Sequence, residues 1–179
     1  MPLQIETSRL SLAPFDPSDI NRFVDLANDR QIAKMVMSLP HPYTNKHARN
    51  WLAQQQSDND NTDLHENLYL FAIKDSDSGF IGMISLNRVN NAIFELGYWI
   101  GRDFWGKGFA SEATKAVLQW AEEQLGIKAI CAGYFADNPA SARVLEKSGF
   151  LRTGVKTTRY SKGRGENVSS IDMVWLGET

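Results

Sequence analysis

One cysteine, Cys131, stands among 179 residues. It can form no intramolecular disulfide, so the chain is expected to fold without crosslinks in a reducing compartment, the cytosol. An excess of one charge is missing too: 19 Lys+Arg against 21 Asp+Glu leave a formal charge of −2. General binding to nucleic acid or an anionic membrane wants a large basic excess, so neither is expected as a partner. The three histidines, His41, His47 and His65, lack zinc-type spacing, and no metal is expected. The longest notable apolar run, Leu68–Ile73, falls far short of the roughly 20 residues that cross a bilayer. Met1 to Thr7 show no basic start followed by an apolar stretch, so no secretory signal is expected.

What is present is an ordinary globular composition, 42% hydrophobic and 22% charged, which excludes disordered and fibrous classes. At roughly 100–200 residues per domain, the length predicts one domain over residues 1–179. Such a chain buries about 70% of the surface it exposes when unfolded, enough to fold without staples.

The periodicity changes along the chain. Arg9–Ala13 alternates and reads as a strand, and Asp16-Pro17-Ser18-Asp19 carries helix-start chemistry for residues 18–28. Thr44 caps a second predicted helix with Ala48, Trp51, Leu52 and Gln55, and the polar stretch Ser57–Asn67 is expected to be a loop. Leu68–Ile73, Phe80–Asn87 and Ile93–Ile100, separated by turn signals, predict an antiparallel meander. Ala113, Val117, Trp120 and Ala121 share one face of a helix starting near Ser111 and ending near Gly126. A strand over Lys128–Phe135, a helix over Pro139–Ser148 and a final hairpin, Leu151–Tyr160 with Val168–Leu176, complete the chain. The class is α+β: a mixed, mostly antiparallel sheet flanked by helices, with at least one parallel crossover.

Trp105-Gly106-Lys107-Gly108-Phe109-Ala110 sits where a strand hands over to a helix. Two glycines let the backbone approach a ligand closely, and the helix start behind them offers free N–H groups and a positive dipole end. Phosphate or pyrophosphate is the natural guest; the plainer reading is a linking turn. Glu95 shares a strand face with Gly97 and Trp99, so its carboxylate meets a cleft, a partner or solvent.

Phe94-Glu-Leu-Gly-Tyr-Trp-Ile100 before that turn and Asn138-Pro-Ala-Ser141-Ala-Arg143 through Gly149-Phe150 after the next strand resemble the GNAT N-acetyltransferase superfamily. Within it they resemble the branch that acetylates the N-termini of ribosomal proteins. Thr7-Ser-Arg9-Leu and the Gly163-Arg164 hairpin add to the likeness, which spans nearly the whole chain. It implies a sheet splayed between the fourth and fifth predicted strands, with acetyl-coenzyme A in the gap. The family's phosphate pattern matches at Gly108 and Ala110, while Trp105 replaces its Gln or Arg. Backbone N–H groups from Gly106 to Ala110, including Lys107 and Phe109, would meet the pyrophosphate, and Ile100 would flank the pantetheine. Asn138 matches the asparagine that holds the pantetheine and acetyl group, though it is also a proper helix cap. Leu145 stands where relatives carry an acidic tyrosine, which makes Ser141 the candidate donor to the leaving thiolate, or else a first-turn serine. Glu95 would take the amine's proton directly or through water, or be structural. Cys131 reads as a small buried residue rather than a nucleophile.

The resemblance implies a primary amine as the acceptor. An α-amine, with a pKa of about 7.7–8.0, costs about 1 kcal/mol to deprotonate at pH 7, against about 4–5 kcal/mol for lysine. A protein N-terminus is therefore the expected acceptor, with a small amine (antibiotic, polyamine or amino acid) or a non-catalytic coenzyme A-binding module as alternatives. The chain is expected to act as a monomer or homodimer.

Overall fold

The computed structural model describes residues 3–59, 68–90 and 93–177. In chain order the elements are β1 (Ile5–Glu6), β2 (Leu10–Ala13), α1 (Ile20–Ala27), α2 (Arg30–Met35) and α3 (Asn45–Asn59). Then follow β3 (Leu68–Asp75), β4 (Gly79–Arg88), β5 (Phe94–Ile100), α4 (Phe109–Leu125), β6 (Ala129–Phe135), α5 (Pro139–Lys147), β7 (Leu151–Ser161) and β8 (Glu166–Leu176). The strands form one eight-stranded sheet in the order β1-β2-β3-β4-β5-β6-β8-β7. Neighbours are antiparallel except β5 and β6, which the α4 crossover makes parallel.

Period-2 alternation sends the side chains of β3, β4 and β5 to two different cores. Phe94, Leu96 and Ile100 of β5 join Ile130 and Ala132 of β6 under α4 and α5, where Ala113, Val117, Ala121 and Leu145 close the layer. Trp99 points the other way, into a second cluster with Phe23 and Ala27 of α1, Ile32 of α2 and Ala48 of α3. Burying each such large side chain contributes about 1.5–3 kcal/mol.

The sheet does not hold together along its whole length. β5 and β6 share three register pairs, Phe94↔Ile130, Glu95↔Cys131 and Leu96↔Ala132. Beyond them β5 stays paired to β4 as far as Ile100, and β6 stays paired to β8 as far as Phe135. Each strand keeps its outer neighbour and loses the inner one, so the sheet splits toward the carboxyl ends of both. This is the expected splay; the short β1 shifts its strand numbers by one.

Three local expectations need correction. The stretch Ser57–Asn67 is not wholly a loop: α3 runs on through Ser57–Asn59, carried by the helix-favouring run Gln54–Gln56, and residues 60–67 lie outside the described residues. Residues 30–35, unassigned from sequence, form α2, whose N-terminus Asp29 caps by accepting from the Gln31 N–H at 2.7 Å. Six residues burying only Ile32 and Ala33 are too few to show a period. Finally, α4 starts at Phe109, two residues ahead of Ser111, because Gly108 already takes the cap position.

Candidate active site

The turn between β5 and α4 is held by its own side chains. Trp105 donates its indole N–H to the Ile100 carbonyl at 2.7 Å, so its one polar group braces the turn. Gly108 has φ +83° and serves as the N-cap of α4 without any side chain to cap the helix. Only glycine takes that conformation routinely. The first-turn N–H groups of a helix have no intrahelical partner, and here they carry the positive dipole end beside the split. The Lys107 ammonium lies 5.3 Å from the centroid of the Phe104 ring, at the surface of the same turn. Phe109 contributes backbone alone, since its ring is 7% exposed and belongs to the core.

A clasp from the chain's start fixes this turn. Arg9 donates through Nη1 to the Lys107 carbonyl at 2.9 Å and through Nε to Glu112 at 2.7 Å. Its guanidinium also covers the Phe109 ring at 4.6 Å. Thr7 donates to Glu112 at 2.6 Å. Burial alone would raise the Glu112 carboxyl, but hydrogen bonds from Thr7, Arg9 and Ser8 outweigh it and hold the pKa below the usual value.

Across the split, Asn138 caps α5 by accepting from the Ser141 N–H at 3.2 Å. Pro139 at the first helical position has no N–H to satisfy. Ser141 Oγ meets the Tyr98 hydroxyl at 2.8 Å, a bond from β5 to α5. Burial pushes Tyr98 up to about 12, with the Ser141 hydrogen bond pulling the other way. Leu145, at 1% exposure, is a core residue. Ile100 ends β5 with its side chain buried and its carbonyl taken by Trp105.

Glu95 lies on the opposite face of β5, and it has a partner. Arg159 of β7 donates through Nη1 to Glu95 Oε1 and through Nη2 to Asp172 of β8 at 3.1 Å. Burial would lower the Arg159 pKa; the two carboxylates outweigh it and push it up, so the guanidinium stays charged. Gly133 makes room for it, because a β-carbon there would sit 3.0 Å from Arg159 Cζ. Cys131, the register partner of Glu95, is half-buried. Burial first and the Glu95 charge second push its thiol up, which keeps it protonated and a poor nucleophile. At the hairpin tip, Arg164 grips Asp137 through two bonds of 2.8 and 2.9 Å and donates to the Lys34 carbonyl at 2.7 Å. Asp137 precedes the Asn138 cap, so the hairpin and the split share one scaffold.

Ile100 and the turn from Trp105 to Ala110 thus follow β5 past the end of the β5–β6 pairing, Asn138 and Ser141 follow β6, and Glu95 sits within that pairing on the other face of β5. Sequence reading missed Tyr98, Arg159, Asp172 and the clasp of Thr7, Arg9 and Glu112. For Tyr98, alternation along β5 was a usable signal, since it places Tyr98 opposite Glu95. Arg159 meets Asp172 across the β7–β8 hairpin, 13 residues on, but its contact with Glu95 and the clasp join partners 64 to 105 residues apart, and no local pattern marks those.

Residues 9–151 match the acetyltransferase (GNAT) domain family. The ribosomal-protein-serine acetyltransferase of Escherichia coli (strain K12) is 31% identical over 116 residues, 59% of this chain and 64% of that protein. Among solved structures, a ribosomal L7/L12 α-N-protein acetyltransferase in complex with coenzyme A has a TM-score of 0.79 at 18% identity, covering 96% of this chain and 98% of that one. The spermidine N-acetyltransferase of Vibrio cholerae, in complex with coenzyme A and spermine, has a TM-score of 0.75 at 22% identity, covering 95% and 96%. With a split sheet, a glycine turn at a helix start and a family match over most of its length, the chain belongs to the GNAT acetyltransferases and is an acetyl-coenzyme A-dependent N-acetyltransferase.

Proposed function

We propose that this enzyme acetylates the α-amine at a protein N-terminus, such as a ribosomal protein's. The co-substrate's chemistry suits the residues present. Its pyrophosphate is an anion for the uncapped start of α4 at Gly108, and its extended arm matches the unpaired edge of β5. When bound, acetyl-coenzyme A supplies an activated acyl group: the amine nitrogen bonds the carbonyl carbon as the carbon–sulfur bond breaks, the amine loses a proton and the sulfur gains one. Ser141 Oγ holds a proton at the split for the sulfur side of that exchange. Glu95, on the other face of the sheet, orients the amine and draws its proton off, directly or through water.

The observation that carries the α-amine reading is the Arg159–Glu95 contact. Arg159 already engages Oε1 of Glu95, so the cluster offers an incoming amine a shared carboxylate rather than a free one, and such a site suits an amine that is partly neutral beforehand. At pH 7 roughly a tenth of an α-amine is neutral, against about one lysine side chain in a few thousand. A polyamine is the second reading, favoured by a different feature of the same cluster. Glu95 and Asp172 together outweigh Arg159 by one negative charge, which would draw a polycation. The likeness to the spermidine enzyme supports it to the same degree as the ribosomal likeness supports the first.

Mass spectrometry on a peptide carrying a free N-terminus and an internal lysine, with spermidine as a parallel substrate, separates the two. Acetylation at the N-terminus ahead of lysine and spermidine is expected. Exclusive lysine modification, or activity confined to spermidine, refutes the α-amine reading.

A further inference from the structure

The contact between Tyr98 and Ser141 spans the place where the sheet opens. Pairing between β5 and β6 ends at Leu96↔Ala132, and Tyr98 lies two residues further along β5. Its ring packs against the core that holds Leu96 and Ile100, and its hydroxyl stands 2.8 Å from Ser141 Oγ and 3.5 Å from the Ser141 carbonyl oxygen. The serine is held from behind as well, because its N–H donates to Asn138 Oδ1.

A serine hydroxyl has one proton and two lone pairs, so the direction of this bond decides what Ser141 has left to offer. If Ser141 donates to Tyr98, its proton is spent. If Tyr98 donates, that proton is free for the split. The phenol is the more acidic of the two groups and the better donor. We propose that Tyr98 is a positioning residue for the transfer: its hydroxyl donates to Ser141 Oγ and turns the serine's own proton toward the departing sulfur. This rests on the role given to Ser141 above. Tyr98 does not itself serve the sulfur, since its hydroxyl is directed at Ser141 Oγ; burial pushes it up to about 12, so its proton stays in place for that bond. Ser141 need not give up its proton either. A thiol's ordinary pKa is about 8.5, so the sulfur leaves as an anion that the hydrogen bond stabilises, and water supplies the proton afterwards.

The test uses Tyr98→Phe, Ser141→Ala and the double variant, with two readouts. Tyr98→Phe keeps the packed ring, and a melting temperature close to that of the unsubstituted protein verifies the fold. In steady-state assays Tyr98→Phe lowers kcat about tenfold with KM for acetyl-coenzyme A within about twofold, and the double variant equals Ser141→Ala alone. In calorimetry the preference for coenzyme A over its analogue lacking the sulfur shrinks in both single variants. Losses that multiply in the double variant, or an intact Tyr98→Phe beside an impaired Ser141→Ala, overturn the positioning role alone. A Ser141→Ala enzyme with unchanged kcat overturns the role of Ser141, and the role of Tyr98 falls with it.

Discussion

Replacing Arg159 by methionine removes a charge while keeping the length of the side chain, and the consequence can be worked from the structure. Arg159 bridges Glu95 and Asp172, and the three side chains are 24%, 23% and 22% exposed. A solvent-exposed ion pair contributes about 0–1 kcal/mol. Deleting one partner of a buried pair costs about 3–5 kcal/mol, because the other charge is left uncompensated. Groups about three-quarters buried fall between these limits after allowing for screening, and two carboxylates are left unneutralised here. A loss of about 2 kcal/mol is therefore expected. For a chain of this size that lowers the melting temperature by roughly 4–8 °C. Urea unfolding with linear extrapolation measures the loss directly. The double variant Glu95→Gln/Arg159→Met should lose less than the sum of its single variants by about 1 kcal/mol, since each single variant already breaks the shared contact. Arg159→Lys should recover only part of the stability, because an ammonium cannot reach two carboxylates as a planar fork does. A loss below about 0.5 kcal/mol for Arg159→Met, or strict additivity in the double variant, would falsify the reasoning.

Two other perturbations probe the turn ahead of α4. Gly108→Val places a β-branched residue at φ +83°, at a cost of about 1–2 kcal/mol, and should weaken coenzyme A binding at least about tenfold by calorimetry. Gly154→Val carries similar strain at φ +78° away from the site; if it weakens binding as much, the Gly108 effect is only strain. The clasp on that turn is pH-dependent. The Glu112 pKa is depressed in the folded chain, so its stabilisation is present above the unfolded value of about 4.3 and fades as pH falls through the folded value. Glu112→Gln should melt below the unsubstituted protein near neutrality, with the gap closing below about pH 4. A gap of constant size at every pH shows that the carboxylate is not what the clasp depends on.

The sequence by itself determined the parts of this protein whose physics is local. Alternation along Phe94–Ile100 set which residues face the core, and the Gly106–Gly108 turn before an apolar-striped helix marked a candidate site for an anion. Asn138-Pro139 announced the start of α5. Each depends on backbone preferences within a few residues, so each is written in a short window. Resemblance across several such windows carried the fold and the acetyltransferase chemistry, and the family match agrees.

Tertiary structure alone decided what those local parts do to one another. Glu95 reads in isolation as a candidate base. Only the fold shows that a guanidinium from β7 neutralises it, with Gly133 leaving the space. Ser141 reads as a lone hydroxyl; only the loss of pairing beyond Leu96 sets Tyr98 across from it. Arg9 precedes the turn by nearly a hundred residues, yet it holds the Lys107 carbonyl. Hydrogen bonds and ion pairs act over about 3 Å, and only packing brings distant parts of a chain that close.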